Sequence, residues 1–388
     1  MKKGRLNIVM GGQAGSESKG KLSGFLVDKY PVDLIVMSSS PNAGHTIILP
    51  SGEKKVSYHL PIAAVMCDCP IVLTAASLIN YETFSKEIVD LGIDPKRILV
   101  DPRASIIHSH HIENEEKGKK SDIGSTLQGI GECRTSKMMR LGRGHHTLAA
   151  HIDDMFNEIG VRVLEFPSST WVNEALDFGE MVLCESTQGF DLDLEHGIDP
   201  IYCTSKMINP SMIAAEAGVA PSMVGDVYAV IRPYPIRVSN RTGTSGPYAD
   251  AREIDWETVR FRCGCPTPLQ EITTTTKLPR RVFEFSWERF DHMIRVCRPT
   301  SICLQFGNYL DWSVWGKTTL EDFNEGDLLP AFISRLESQG NTPVEFVGTG
   351  PGHHQMIWRR NYMKMMGYEV DEDLMVDYTA EDDLEKGR

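Results

Sequence analysis

The 388-residue sequence lacks features that mark several classes of protein. It has no apolar run long enough to cross a bilayer, and its first apolar stretch is too short for a signal peptide. Its formal net charge of -13 argues against nonspecific nucleic-acid binding, which needs a basic surface. It also contains no internal repeat and no low-complexity linker. We therefore expect one integrated cytoplasmic domain over residues 1–388, with an acidic tail at about 369–388 and with no membrane or nucleic-acid partner.

The sequence also lacks an even number of cysteines. Nine cysteines cannot all pair within one chain, which suits the reduced thiols of a cytoplasmic protein. Two Cys-x-Cys pairs, Cys67/Cys69 and Cys263/Cys265, keep a four-thiolate zinc site open as an alternative. Their spacing differs from the usual zinc pattern, so we favour free thiols.

Short apolar runs alternate with helical patterns along the chain. The runs predict buried strands over Leu6–Met10, Leu34–Met37, Ile71–Thr74, Ile98–Val100, Met181–Cys184, Val227–Ile231, Ile302–Leu304 and Val344–Val347. The periodic segments predict helices over Gly20–Lys29, Tyr81–Leu91, Trp287–Val296 and Leu328–Leu336. This alternation predicts an α/β fold with a mainly parallel central sheet flanked by helices. Ligands should then bind beyond the carboxyl ends of the strands.

A glycine-rich segment, Gly15-Ser-Glu-Ser-Lys-Gly-Lys21, lies between the first predicted strand and the first predicted helix. Such a loop binds phosphate because its backbone N–H groups and the positive end of the helix dipole face the anion. The spacing matches most of the P-loop pattern, but Leu22 stands where a Ser or Thr would hold magnesium. The sequence thus predicts a modified P-loop whose metal needs other ligands.

A second motif, Asn42-Ala-Gly-His-Thr46, follows the second predicted strand. With the loop, it resembles the adenylosuccinate synthetase family, whose usual loop is Gly-Asp-Glu-Gly-Lys-Gly-Lys followed by the same five residues. Further motifs of the family recur in order along most of the chain, and they are weak after Arg280. The resemblance implies a carbon–nitrogen ligase that uses Mg2+ and works as a homodimer.

The resemblance also implies a role for individual residues. Donor nucleotide and phosphate binding falls to Gly15, Glu17, Ser18, Lys19, Gly20, Lys21, Gly44, His45, Thr46, Gln305, Asn308, Gly348, Thr349, Gly350 and Pro351. Acceptor nucleotide binding falls to Ser16, Asn42, Ala43, Ser125, Thr126, Arg140, Gln188 and Thr204, with Cys203 as the alternative to Thr204. Aspartate binding falls to Thr274, Thr275, Thr276 and Arg280, metal binding to Ser16 and Gly44, and catalysis to Ser16, His45 and Gln188. Arg140 matches an arginine that reaches the neighbouring subunit's site, and a surface helix charge is its alternative explanation.

The sequence departs from the family pattern at four places. Ser16 replaces the loop aspartate, and Ser18 replaces a loop glycine. The guanine-reading Thr-Lys-Leu-Asp signature is replaced by Leu304-Gln-Phe-Gly-Asn308, whose amide both donates and accepts, so guanine is no longer singled out as the donor base. The family's arginine run is interrupted at Lys277-Leu-Pro-Arg-Arg281.

These departures favour a shifted substrate. A serine in place of a carboxylate beside purine N1 leaves room for a 2-amino group, as in the bacteriophage branch of the family. That branch makes 2-aminoadenylosuccinate from dGMP, aspartate and ATP or dATP, for diaminopurine DNA. We favour it over ordinary synthesis of adenylosuccinate from IMP, aspartate and GTP. A nucleotide switch that performs no ligation is a distant alternative, because it has no use for Asn42–Thr46.

The expected reaction has two steps, transfer of the γ-phosphoryl group to O6 of dGMP and displacement of phosphate at C6 by the aspartate amine. His45 would donate a hydrogen bond or proton to the transferring oxygen, and Lys19 and Lys21 would neutralise phosphoryl charge. We expect His59 to pack within a strand rather than to act in catalysis. We expect His108–His111 to form a loop, with metal binding by these histidines as the alternative.

Overall fold

The computed structural model describes residues 1–42, 44–142, 144–239, 244–273, 277–319 and 327–359. Its strands are β1 (Arg5–Gly11), β2 (Leu34–Met37), β3 (His45–Ile48), β4 (Lys54–Ser57), β5 (Ile71–Leu73), β6 (Leu78–Ile79), β7 (Ile98–Val100), β8 (Ser105–Ile106), β9 (Thr147–Leu148), β10 (Arg162–Val163), β11 (Met181–Gly189), β12 (Val224–Ile231), β13 (Ile236–Arg237), β14 (Glu253–Ile254), β15 (Arg281–Phe283), β16 (Ser301–Leu304), β17 (Val344–Gly348) and β18 (Met356–Trp358). Its helices are α1 (Lys19–Lys29), α2 (Tyr81–Leu91), α3 (Ser109–Lys117), α4 (Ile130–Met138), α5 (Asp153–Glu158), α6 (Ser168–Asp177), α7 (Pro210–Ala217), α8 (Trp256–Cys263), α9 (Trp287–Cys297) and α10 (Leu328–Gly340).

The central sheet contains ten of these strands, in the order β10-β7-β5-β2-β11-β1-β12-β16-β17-β18. Neighbouring strands run parallel from β10 to β17, and β18 pairs antiparallel with β17. All eight strands predicted from apolar runs belong to this sheet. The predicted α/β fold with a mainly parallel sheet is therefore confirmed. Because helices cover both faces, each strand is buried on both sides and reads as a continuous apolar run.

Two apolar clusters pack on the opposite faces of the sheet. One joins α1 to the sheet through Leu22, Phe25 and Leu26. The other joins α9 to it through Phe290 and Met293. Burial of these side chains removes apolar surface from water, at roughly 25 cal/mol per Å². The sheet therefore fixes α1, and with it the loop that precedes the helix.

Helix boundaries agree with the sequence where local capping signals are present. The Asn80 side chain accepts a hydrogen bond from Thr83 N at 3.1 Å, and Gly92 ends α2 with a positive φ of 71°. The loop predicted over His108–His111 is wrong, because α3 begins at Ser109. His108 N donates to His111 Nδ1 at 3.1 Å and starts the helix. This capping by a histidine has no strong sequence signature.

The polar segments of the predicted site follow the carboxyl ends of the central strands. The phosphate loop follows β1, the Asn42–Thr46 motif follows β2, and Gln188 lies at the end of β11. This placement follows from parallel strands, whose carboxyl ends meet at one edge of the sheet. No helix in the described ranges is long and apolar enough to cross a membrane. The single domain over 1–388 stays a prediction, since the acidic tail lies outside the described residues.

Candidate active site

The phosphate loop connects β1 to α1 and packs tightly against the end of β11. A Cβ atom at Gly189 would lie 2.2 Å from Gln13 O, so only glycine permits this approach. Ser18 caps α1 in the left-handed region, with φ 64°, and its side chain makes no capping hydrogen bond. The first N–H groups of the helix are thus free of a side-chain cap, as an anion site requires.

Two charged side chains of the loop are buried against each other. Lys19 Nζ donates to Gly15 O at 3.0 Å and lies 3.5 Å from a carboxylate oxygen of Glu17. Glu17 also accepts from Gly15 N at 2.6 Å. Burial raises the pKa of the Glu17 carboxyl, and the charge of Lys19 opposes that rise. Glu17 therefore shapes the loop and orients Lys19, while Lys19 lines the cleft.

His45 lies at the start of β3 and is held by a buried carboxylate. His45 Nδ1 is 2.8 Å from Glu185 Oε1, and Glu185 also accepts from Ile62 N at 3.3 Å and Ala63 N at 3.4 Å. An Nδ1–H donated to the carboxylate leaves Nε2 to face a ligand. His45 lines the cleft, so this arrangement can present a proton or hydrogen bond to a bound nucleotide.

Gln188 and Asn42 form a second polar pair in the cleft wall. Gln188 adopts φ 66°, a strained conformation for a residue other than glycine. Its Nε2 donates to Asn42 Oδ1 at 2.8 Å, and Ser40 Oγ donates to the same oxygen at 3.0 Å. The backbone of β11 thus turns a side-chain amide towards the purine site that the sequence predicts.

Ser16 belongs to a network that the sequence did not reveal. Arg280 Nη1 donates to Ser16 Oγ at 2.8 Å, and Arg232 Nη1 donates to Ser16 O at 3.2 Å. Arg232 also pairs with Glu271, at 3.1 Å from Nη1 to Oε2, and Tyr309 Oη donates to the same carboxylate at 3.1 Å. Two arginines thus converge on the residue that replaces the family's loop aspartate.

The network is largely shielded from solvent and carries a net positive charge, because the guanidinium groups of Arg232 and Arg280 face the single carboxylate of Glu271. Burial alone would raise the pKa of the Glu271 carboxyl, but the charges of Arg232 and Arg280 bring it below its usual value. The Arg232 guanidinium stacks 4.1 Å from the centre of the Phe306 ring. Arg232 directly follows the buried strand β12, and a charged residue at the carboxyl end of a strand is the sequence signal that marks it as a site residue.

The cleft consists of two adjoining spaces that share part of their lining. Both are lined by Gly15, Ser16, Asn42, Gly124, Ser125, Thr126, Gln188 and Val238. Lys19, His45, Thr46, Glu271, Arg280 and Phe306 line the first space alone, and Tyr202, Cys203, Thr204 and Arg237 are among those lining the second. The structure thus gathers most of the predicted acceptor residues around one cleft, and both Thr204 and Cys203 face it.

Other predicted residues lie away from these two spaces. Arg140 is exposed just beyond α4, with φ 54°. Gln305 and Asn308 are buried beside the end of β16. The turn Gly348–Pro351 follows β17, and Lys21 Nζ donates to Gly350 O at 2.6 Å and to Gln355 O at 2.8 Å. Ala43 and Thr274–Thr276 lie outside the described residues.

The buried Lys21 ammonium differs from Lys19 in its surroundings. Burial lowers the pKa of Lys21 to about 7, and it faces backbone carbonyls rather than a carboxylate. A phosphate brought near it would favour the charged ammonium. Lys21 therefore couples the start of α1 to the turn after β17.

The carboxylates that line the cleft already have partners, since Glu271 pairs with Arg232 and Glu115 accepts from Gly129 N and Gly131 N. Ser16 Oγ accepts from Arg280, and the carboxylate of Glu17 is occupied by Lys19 and Gly15 N. Over the described ranges, no group of three or more His, Cys, Asp or Glu side chains could hold a metal ion. Such a donor set fits Mg2+ bound mainly by substrate phosphates, which is its usual mode at nucleotide sites.

His59 is a buried structural residue, as predicted, but it follows β4 and does not lie in a strand. Its Nδ1 lies 3.1 Å from Glu87 Oε2, and its Nε2 accepts from Asn80 N at 3.1 Å.

The two Cys-x-Cys pairs lie in different parts of the fold, one after the 3-10 helix Ile62–Met66 and the other at the end of α8. All nine cysteines are free thiols.

The sequence and the structure of this chain are similar to those of known proteins. The family model described as adenylosuccinate synthetase matches residues 8–163 and 154–317. The N6-succino-2-amino-2'-deoxyadenylate synthase of Salmonella phage PMBT28 is 34% identical over 79% of this chain and 86% of its own length. The adenylosuccinate synthetase of Methanocaldococcus jannaschii is 30% identical over 91% of this chain and 96% of its own. Among solved structures, the cyanophage S-2L succinoaminodeoxyadenylate synthetase bound to dGMP and dATP superimposes with a TM-score of 0.76 and 26% identity, covering 93% and 98% of the two chains.

Proposed function

This chain belongs to the adenylosuccinate synthetase family, and we propose that it joins L-aspartate to C6 of dGMP at the expense of ATP or dATP. The product would be 2-amino-2'-deoxy-N6-succinyladenylate, a precursor of diaminopurine DNA. The observation that carries the proposal is Ser16, a neutral hydroxyl on the cleft wall where the family pattern has an aspartate. The named activity of the phage relatives and the nucleotides in the cyanophage structure support it.

The cleft suggests how the acceptor is recognised. The 2-amino group of guanine donates hydrogen bonds, and Ser16 Oγ is an acceptor beside the predicted purine site. Gln188 supplies an amide to the ring, and Ser125 and Thr126 supply hydroxyls to the phosphate. Because Arg280 already donates to Ser16, the hydroxyl is oriented before substrate arrives.

The first step transfers the γ-phosphoryl group to O6. His45 Nε2 would donate to the transferring oxygen while Glu185 balances the imidazolium charge. Lys19 and the loop N–H groups would neutralise charge that develops on the phosphoryl group. Ser16 Oγ and the Gly44 carbonyl would be the protein ligands of Mg2+, which would supply further positive charge beside the phosphoryl group when bound.

The second step forms the C6–N bond and breaks the C6–O6 bond, so that the phosphate leaves with O6. Arg280 faces the cleft and would hold a carboxylate of L-aspartate, together with Thr274–Thr276. The aspartate amine would then attack C6 as the C6–O6 bond breaks. The turn Gly348–Pro351, with Gln305 and Asn308, would receive the donor base without demanding guanine.

A second subunit would complete the site. Arg140 lies between the exposed side chains of Met138, Met139 and Leu141, an apolar surface suited to burial against another copy. Arg140 would then reach the partner's acceptor phosphate. We place the enzyme in the cytoplasm of a phage host, where its nucleotide substrates occur.

The decisive experiment measures phosphate release with Mg2+, L-aspartate and ATP, comparing dGMP with IMP. We expect release with dGMP that depends on L-aspartate, and Ser16→Asp should shift preference towards IMP. Turnover with IMP alone would establish ordinary adenylosuccinate synthesis instead. Release that does not require L-aspartate would identify a nucleotide switch.

A further inference from the structure

Two thiols lie in contact outside the cleft. Cys67 and Cys69 follow the 3-10 helix Ile62–Met66, and their Sγ atoms are 2.7 Å apart. Both residues are half-buried, and Asp68 between them is fully exposed. A disulfide bond has a length of roughly 2.05 Å, so only a small movement separates these thiols from a covalent bond. Small solutes can reach the pair.

The surroundings of the pair favour one attacking thiolate. The hydrogen bond between the two sulfurs lowers the pKa of the Cys67 thiol to about 7. The same contact raises the pKa of the Cys69 thiol. Arg97 adds positive charge, with Nη2 at 3.9 Å from Cys67 Sγ and at 2.9 Å from Cys69 O. A low-pKa thiol beside a second thiol is the arrangement found in redox-active pairs.

The 3-10 helix before the pair connects it to the cleft. Ile62 N and Ala63 N donate to Glu185, the carboxylate that holds His45. The same helix packs on the phosphate loop, since a Cβ at Gly20 would lie 2.3 Å from a methyl carbon of Ile62. Arg97 Nη2 donates to Ala64 O at 3.3 Å as well as to Cys69 O. A change in backbone at Cys67 therefore acts on groups that position His45 and the start of α1.

We propose that Cys67 and Cys69 are a thiol modification site, oxidised to an internal disulfide by small-molecule disulfides, and that this oxidation slows the reaction in the cleft. The Cys67 thiolate attacks one sulfur of the disulfide and releases one small thiol. Cys69 then attacks the mixed disulfide at Cys67 and releases the second. Two protein thiols are oxidised, one small disulfide is reduced, and both thiol protons end on the released small thiols.

The second Cys-x-Cys pair offers a matched control. Cys263 and Cys265 have the same spacing but are buried. Their thiols point to separate carbonyls, Cys263 Sγ to Arg260 O at 3.5 Å and Cys265 Sγ to Thr267 O at 3.3 Å. Sequence spacing alone would predict equal reactivity of the two pairs, whereas the structure predicts reaction at Cys67 and Cys69 only.

The chemical part is tested with the full chain in defined mixtures of oxidised and reduced glutathione. Peptide mass spectrometry without reductant should show a Cys67–Cys69 disulfide and unmodified Cys263 and Cys265. Cys69→Ser should trap a glutathione adduct on Cys67, whereas Cys67→Ser should leave Cys69 largely unmodified. Free Cys67 and Cys69 in excess oxidised glutathione, or equal oxidation of both pairs, would overturn the proposal.

The effect on activity rests on the proposed function and is measured separately. The oxidised protein should lose phosphate release several-fold and recover it with dithiothreitol, while Cys67→Ser should retain the rate under both conditions. A disulfide that forms without changing the rate would refute the coupling to the cleft. If the reduced protein shows no aspartate-dependent release, the proposed function fails, and the mass measurement still decides the thiol site.

Discussion

Two buried histidines of this protein each pair through Nδ1 with a glutamate, but their Nε2 atoms have different surroundings. His45 Nδ1 lies 2.8 Å from Glu185, and His59 Nδ1 lies 3.1 Å from Glu87. His59 Nε2 is occupied by Asn80 N, whereas His45 lines the cleft. The same histidine–carboxylate pairing therefore closes both ring nitrogens of His59 within the fold, and in His45 it leaves the ring at the cleft, where we propose that it acts on the substrate. What separates them is the space beyond the ring.

The largest expected effect is a difference in turnover between variants of the two histidines. His45→Asn should lower turnover by ~10²–10⁴-fold, because it removes the group that would protonate the transferring oxygen. Nucleotide binding, measured by calorimetry, should remain. His59→Asn is the matched control, and its turnover per folded molecule should stay near that of the wild type. Near-normal turnover of His45→Asn would remove His45 from the mechanism.

Glu185→Gln tests the carboxylate that pairs with His45. A neutral amide cannot balance an imidazolium, and loss of a charged hydrogen-bond partner corresponds to about 1.5–3 kcal/mol. We therefore expect turnover to fall about 10- to 100-fold, since each 1.4 kcal/mol is a factor of ten. Steady-state kinetics should place the loss in kcat. A loss confined to KM would mean that Glu185 shapes substrate binding instead.

The core pair should affect stability rather than catalysis. His59→Asn removes a partner of the buried Glu87 and the acceptor of Asn80 N, which should lower the free energy of unfolding by about 1–2 kcal/mol. Urea denaturation followed by circular dichroism measures this change. Equal losses of stability in His45→Asn and His59→Asn would show that both histidines are structural.

A smaller effect on stability is expected at Lys21. Its ammonium donates to backbone carbonyls, much as the second nitrogen of His59 is paired with Asn80 N. Its pKa is lowered to about 7 in the folded protein, so the unfolded chain binds more protons between pH 7 and its usual 10.5. Its contribution to stability should therefore rise with pH in that window, by at most about 1.4 kcal/mol per pH unit. Comparing unfolding of the wild type and Lys21→Met at pH 7.5 and 8.5 isolates it. If the stability of the wild type relative to Lys21→Met falls between pH 7.5 and 8.5, the lowered pKa is contradicted.

The sequence identifies those parts of the predicted site that are short continuous segments of the chain. Gly15–Lys21 and Asn42–Thr46 could be found because loop glycines and polar residues after a buried strand have characteristic local spacing. The network around Ser16 could not, because Arg232, Glu271 and Arg280 are distant along the chain and carry no shared local pattern. The start of α3 is not evident in the sequence either, because the residue that caps this helix is a histidine.

The sequence by itself determined the parallel sheet, the edge at which the cleft lies and the family, because apolar periodicity and glycine spacing are properties of consecutive residues. Only the tertiary structure decided which histidine faces the cleft, which arginines hold Ser16 and which cysteine pair is in contact. Those outcomes depend on how distant segments pack. A side chain acquires its partner, its burial and its protonation from neighbours that the local sequence does not contain.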